Sequence, residues 1–245
     1  MRWESWMSIL WVLVSACSCI PAILSGSADT LCIRAAFAAL PLTGLMNGGA
    51  ASTRTKKTIL VDMDNTLVDW EESFNRHMKI HHPEVPLLQP HQRQQWHHAK
   101  DFPPEHFDTV EAITGVAGFW RTMRPNDYGI EAVKEMLSEG HDVFLVSAPD
   151  PNCTDLCAYE KVQWVVDQLG VEWKQRLILT RDKTLIRGDI LFDDKPTVVD
   201  GLMEPIWRHV FFTQPYNKRF DDRPRIDKWQ DWRRALDEAS VEKGG

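Results

Sequence analysis

Cysteine is scarce where the chain carries most of its charge. Of five cysteines, Cys17, Cys19 and Cys32 precede residue 58, and only Cys153 and Cys157 follow it. Two thiols in so long a stretch cannot form a disulfide framework, so residues 58–245 read as cytosol-like or organellar. Basic residues are the minority, 28 against 35 acidic ones, for a net charge of −7 over 245 residues. That balance disfavours a nucleic-acid polymer as partner, because polymer phosphates demand a basic face. It does not exclude a small phosphate-bearing ligand, since one local site can be positive in a negative protein. A hydrophobic fraction of 43% and a charged fraction of 26% exclude disorder throughout and allow a sizeable core.

Charge is absent altogether from Trp6 to Ala28. Residues 1–57 hold Arg2, Arg34, Arg54, Lys56 and Lys57 against Glu4 and Asp29, a net of +3, which leaves −10 for residues 58–245. The apolar centre Ile9–Val14 dilutes into Ser15, Ser18, Pro21, Ser25 and Gly26. Its length allows a membrane anchor, and membrane contact through residues 6–28 belongs to that reading. Its Pro and Ser content fits a cleaved targeting peptide, with Gly26-Ser27-Ala28 as a processing site. A mitochondrial transit peptide and a dispensable extension ahead of Met46 are the other readings. Cytoplasmic and mitochondrial locations both stay open. Gly44–Thr55 is small and charge-poor, and reads as a linker.

Beyond the linker, short apolar runs alternate with helical patterns. Thr58–Val61, Asp142–Val146, Leu177–Thr180, Ile190–Phe192 and His209–Thr213 read as buried strands. Phe74–Ile80, Gly129–Glu139, Asp155–Leu169 and Asp227–Ser240 read as helices, two of them closed by Gly140 and Gly170. The alternation predicts an α/β fold with a parallel sheet and helices on both faces. Residues 76–127 break the pattern and predict a small helical insertion, with helices near 90–100 and 107–116. The chain thus divides into a leader and linker (1–57), a core (58–75 and 128–245) and the insertion (76–127).

In parallel sheets, ligands bind beyond the carboxyl ends of the strands. Asp62 and Asp64, Ser147, Arg181 and Lys183, and Asp193 and Asp194 all fall there. Converging carboxylates repel one another unless a cation intervenes, and hard oxygen donors select Mg²⁺, which also accepts substrate phosphate. A carboxylate can attack phosphorus, and a neighbouring acid can protonate the leaving oxygen and then activate water.

These residues carry a resemblance. Asp62-Met63-Asp64-Asn65-Thr66-Leu67-Val68 resembles the first motif of the haloacid dehalogenase superfamily. Residues 61–70, Asp142–Pro149, Tyr159-Glu160-Lys161, Leu179–Thr184 and Ile190–Pro196 together resemble the 5′(3′)-deoxyribonucleotidase family within it. The resemblance implies a HAD-like Rossmannoid core with a small helical cap. It implies a Mg²⁺-dependent 5′-nucleotidase that cleaves a nucleoside monophosphate through an aspartyl-phosphate.

In this sequence's positions, Asp62 is the implied nucleophile and metal ligand. Asp64 is the implied acid/base, binding the metal through its carbonyl, and Asp194 is the further metal ligand, with Asp193 in support. Ser147, Lys161 and Asn65 are implied at the phosphate, with Arg181 and Lys183 behind it or at its mouth. Asn65 stands where relatives usually have Gly, and Ala148 where they have a hydroxyl. Trp70 is the first candidate for stacking on the base, with Trp96, Phe119 and Trp120 behind it. A phosphatase of another small phosphomonoester and a non-catalytic, membrane-tethered HAD-like module are the alternatives. A homodimer is compatible with any of these.

Seven of nine histidines fall between His77 and His106, but their spacing fits no zinc pattern, and a polar surface is the plainer reading. Cys153 and Cys157 read as incidental thiols. Trp164, Trp173, Trp207, Trp229 and Trp232 read as core.

Overall fold

A computed structural model describes residues 55–197 and 201–241, all within one of the chain's two units, Ser52–Gly245. The targeting or anchor segment lies outside the described residues. Among the described residues, no helix is long and apolar enough to cross a membrane.

Six strands form a parallel sheet. They are β1 (Thr58–Val61), β4 (Asp142–Ser147), β5 (Leu177–Leu179), β6 (Ile190–Asp193), β7 (Arg208–Phe212) and β8 (Arg225–Ile226), ordered β5-β4-β1-β6-β7-β8. All neighbouring pairs run parallel. β1 is central because Ile59, Leu60 and Val61 are wholly buried, and only a strand covered on both faces can hide three consecutive apolar residues. Ile59, Val61, Val143, Leu145, Ile190 and Phe192 join the large core on one face. Leu60, Val146 and Leu191 join a smaller cluster with Trp207 on the other. Each such side chain is worth about 1.5–3 kcal/mol of burial, so the register of the central strands is strongly specified.

Two short strands, β2 (Val68–Asp69) and β3 (Arg124–Pro125), pair antiparallel below residues 70–123. That excursion holds α1 (Trp70–His81) and α2 (Phe107–Ala112). α1 starts four residues before the predicted Phe74, because the Asp69 side chain caps it by accepting from the Glu72 amide at 3.0 Å. The helix expected near 90–100 is replaced by 3₁₀ turns at Pro90–Gln92 and His98–Asp101. The chain turns extended at Arg93, whose buried guanidinium donates to Glu71 on α1 and to Gln95 O instead of continuing a helix.

α3 (Gly129–Ser138) and α4 (Thr154–Leu169) end at Gly140 and Gly170, both at positive φ as their sequence positions imply. α5 (Trp232–Val241) is shorter than the predicted 227–240 helix, because Lys228 is extended and a 3₁₀ turn fills Trp229–Asp231, just after the edge strand β8. Trp164, Trp173, Trp207, Trp229 and Trp232 are all buried.

Candidate active site

β1 ends at Val61, and the next backbone amide, of Asp62, still bonds Phe192 O at 2.9 Å. The ladder between β1 and β6 therefore delivers Asp62 beside Asp193, the last residue of β6, and Asp194. One carboxylate oxygen from each of the three lies within 4.8 Å of the others, and all three residues are buried. Lys183, from the turn after β5, places Nζ 2.5 Å from Asp62 Oδ1 and 2.6 Å from Asp193 Oδ2. Expected at the edge, this lysine is the cation in direct contact with the carboxylates.

Burial raises the Asp62 carboxyl to about 7, with Asp193 and Asp64 adding to the rise and Lys183 opposing it. Burial and the charges of Asp193 and Asp62 push Asp194 well above the ordinary range. Asp193 is buried too, but Lys183 and His209 hold it low. One lysine thus faces three carboxylates, two of them under strain to protonate. A hard divalent cation relieves that excess, and an all-oxygen donor set fits Mg²⁺.

Asp64 belongs to a separate group. Its Oδ2 accepts from Lys161 Nζ at 2.5 Å, while its Oδ1 is buried with no hydrogen-bond partner. Lys161 lies on the buried face of α4 with Cys157, Trp164 and Val165, where periodicity calls for an apolar residue. Its Nζ also donates to Ser147 Oγ at 2.8 Å and Ala148 O at 3.2 Å. Burial would discharge this lysine, but Asp64 and Asp62 more than offset it and its pKa rises. Ser147 is fully enclosed beside it.

Asn65 adopts φ +55°, the special backbone angle its position demands. Its Nδ2 donates to Tyr216 Oη at 3.1 Å, and the residue lines the pocket beside Asp62 and Asp64. Tyr216 in turn donates to Asp194 Oδ2, and Asn217 Nδ2 bonds Asp194 O at 2.8 Å. Sequence reasoning missed both residues. They follow the carboxyl end of β7, so the strand-end rule that picked out Asp62 could have found them. It also missed Arg93, which is buried over the Tyr216 ring at 5.2 Å and pairs with Glu71 at 2.7 Å and with Asp101.

Above these groups opens a pocket of about 550 Å³. Asp62, Asp64, Asp193, Asp194 and Lys183 line one part, with Trp70, Trp96 and Trp120 among its walls. Arg181 lines it as well, exposed. Trp96 stacks under Lys195, whose Nζ is 4.4 Å from the ring centroid. Phe119 is wholly buried behind Trp70, 5.6 Å away between centroids, and does not line the pocket. Among the described residues, the three aspartates are the only His/Cys/Asp/Glu group spaced for a metal, so the histidines form no such cluster. Cys153 and Cys157 are free thiols, and burial pushes Cys157 up to about 12.

A parallel sheet of this order, with acidic residues at its central strand ends, is the architecture of the HAD-like hydrolases. A haloacid dehalogenase-like family hydrolase from Streptococcus pneumoniae shares the fold, with a TM-score of 0.50 at 12% identity, over 74% of this chain and 98% of that one. Residues 56–239 match the family described as 5′ nucleotidase, deoxy (Pyrimidine), cytosolic type C protein, and the chain belongs to that family. It is 42% identical to a putative 5′(3′)-deoxyribonucleotidase of Bordetella bronchiseptica, over 73% of this chain and 94% of the relative. It is 34% identical to the human 5′(3′)-deoxyribonucleotidase, cytosolic type, over 73% and 92%. The chain is accordingly a phosphoric monoester hydrolase.

Proposed function

We propose that the protein is a Mg²⁺-dependent 5′-nucleotidase that releases phosphate from deoxyribonucleoside monophosphates. One observation carries the reading. In a chain of this family, a strand-end carboxylate, Asp62, touches a buried lysine and faces a tryptophan-walled pocket large enough for a nucleotide.

Asp62 is the nucleophile. Its carboxylate oxygen bonds to phosphorus as the bond from phosphorus to the ester oxygen breaks, and Asp64 protonates the departing nucleoside oxygen. Water then attacks the aspartyl-phosphate, giving its proton to Asp64 and freeing Asp62 and inorganic phosphate. Lys183 opposes the protonation of Asp62 that burial favours. Lys161 and Ser147 stand beside Asp64 to meet the phosphoryl oxygens. Asp62 and Asp194, with Asp193 beside them, would hold Mg²⁺, which neutralises the charge gathered around the phosphoryl group. Residues 76–127 act as a cap over the nucleoside, with Trp96 and Trp120 as its contact surfaces and Trp70, at the start of α1, beside them.

The test is a phosphate-release screen of the full chain over deoxy- and ribonucleoside 5′- and 3′-monophosphates and sugar phosphates. Preference for deoxynucleotides supports the reading, and equal rates on sugar phosphates defeat it. Asp62→Asn should lower kcat by at least about 10³-fold, and retained turnover would remove Asp62 from its role.

A further inference from the structure

Glu160 directly precedes Lys161 in the Tyr159-Glu160-Lys161 block, and nothing in the reaction above uses it. It is only 5% exposed. A buried carboxylate needs partners, and this one takes three backbone amides from a single loop: Gly118 N at 2.6 Å, Trp120 N at 3.1 Å and Arg121 N at 3.3 Å. Amides converging in this way form a concave anion seat. Ser73 Oγ donates to Phe119 O at 2.8 Å and Arg76 to Thr122 O at 3.0 Å. The loop's amides at 118, 120 and 121, however, depend on Glu160. Its remaining backbone bonds are turns of its own, with Gly118 at φ +90° and Thr122 bonding Gly118 O through both N and Oγ1.

That loop carries Trp120, 3% exposed, which lines the pocket and donates from its indole to Thr114 O at 2.9 Å. The ring face of Trp120 meets Lys161 Nζ, 4.7 Å from its centroid. Consecutive residues on a helix point about 100° apart. Glu160 therefore reaches the excursion while Lys161 reaches Asp64 and Ser147. Two neighbouring side chains of α4 thus hold one tryptophan, one by its backbone and the other by its ring.

We propose that Glu160 is a positioning residue that fixes Trp120 as a wall for the nucleoside part of the substrate. The inference rests on the nucleotidase reading above and adds to it which residue sets that wall. Without the carboxylate, three amides lose their acceptor, the loop shifts, and substrates that carry a nucleoside lose a surface that smaller phosphomonoesters never touch.

The test uses Glu160→Gln in the full chain, which keeps the shape but removes the charge and sets an NH₂ against the amides. KM and kcat are measured with a deoxynucleoside 5′-monophosphate and with glycerol 2-phosphate, a phosphomonoester without a base. The nucleotide KM should rise about 10-fold, the scale of one base–aromatic stack, with kcat within about 3-fold. The kcat/KM for glycerol 2-phosphate should stay within about 2-fold. Trp120→Leu should raise the nucleotide KM to a similar degree, and the double variant should be no worse than either single one. Should Glu160→Gln fail to fold, Gly118→Ala strains the same loop through its backbone angle alone, with nothing within 4 Å of the added Cβ, and should show the same substrate split.

An unchanged nucleotide KM, equal losses on both substrates, or effects that multiply in the double variant would each overturn the proposal. A wild-type protein that cleaves glycerol 2-phosphate but no nucleotide defeats the underlying reading and the proposal with it. A nucleotide-preferring wild type with an unaltered Glu160→Gln variant defeats this proposal alone.

Discussion

At the strand ends, Asp62, Asp193 and Asp194 converge within 4.8 Å: Asp193 is the last residue of β6, and Asp62 and Asp194 follow the adjacent strands β1 and β6. Across the pocket, Trp70, Trp96 and Trp120 come from a helix start, a bend between two 3₁₀ turns and a loop, with no common repeat. The floor is placed by backbone ladders, so its precision is inherited from the sheet. The wall is placed by side-chain ties: Glu160 on the 118–121 amides, Glu71 on Arg93, and Lys195 on Trp96. Substitutions in the floor should therefore alter chemistry and metal binding, and those in the wall should alter substrate affinity.

The largest effect should come from Lys183→Met. It leaves Asp62 and Asp193 without their buried cation, so kcat should fall by about 10³-fold, and the denaturation midpoint in chelator should drop by the equivalent of about 3 kcal/mol. A loss confined to KM would place Lys183 in the wall rather than the floor.

Acidification should act next. The Asp62 carboxyl is raised from 3.8 to about 7 in the folded protein without metal, so the folded state keeps a proton that the unfolded state has lost. Its contribution to the stability of the metal-free protein is full below about pH 4 and is lost as pH rises towards 7. Mg²⁺ requires the ionised form, so its affinity should fall about 10-fold per pH unit below 7. Thermal shifts induced by Mg²⁺ should be large at pH 8 and small at pH 5.5, and a pH-independent shift would separate Asp62 from the metal.

Tyr216→Phe removes the hydroxyl that donates to Asp194 and accepts from Asn65. Mg²⁺ affinity by calorimetry should weaken about 10-fold, as it does when a ligand loses its orienting partner. Equal affinity in the two proteins would mean that Asp194 needs no such orientation. The smallest effect should come from Trp96→Ala. Trp96 is 48% exposed at the pocket edge, so the nucleotide KM should rise about 3-fold with kcat unchanged. A fall in kcat would blur the line between floor and wall.

Legibility followed the same division. β1, β4, β5, β6 and β7 were readable because each holds an apolar run, buried at the centre in β1 and β6 and half-buried at the β5 edge. β2, β3 and β8 were not, because two residues carry no periodicity. Asp62, Asp64, Asp193 and Asp194 were readable because a carboxylate at the end of a buried strand has few structural uses. Tyr216 and Arg93 were not, since their partners are distant in sequence. Lys183 was read at the edge of the site because it sits in a turn whose direction the sequence does not specify.

By itself, the sequence determined the parallel sheet, the ends at which its chemistry gathers and the acids that gather there, since strand periodicity and burial are local properties. Only the tertiary structure decided which cation meets which acid. Lys183 joins Asp62 and Asp193, whereas Lys161 joins Asp64 and Ser147. It alone brought Glu160 to the loop that carries Trp120. The physical reason is that a side-chain hydrogen bond depends on distances of about 3 Å between segments that only the packed sheet and helices bring together.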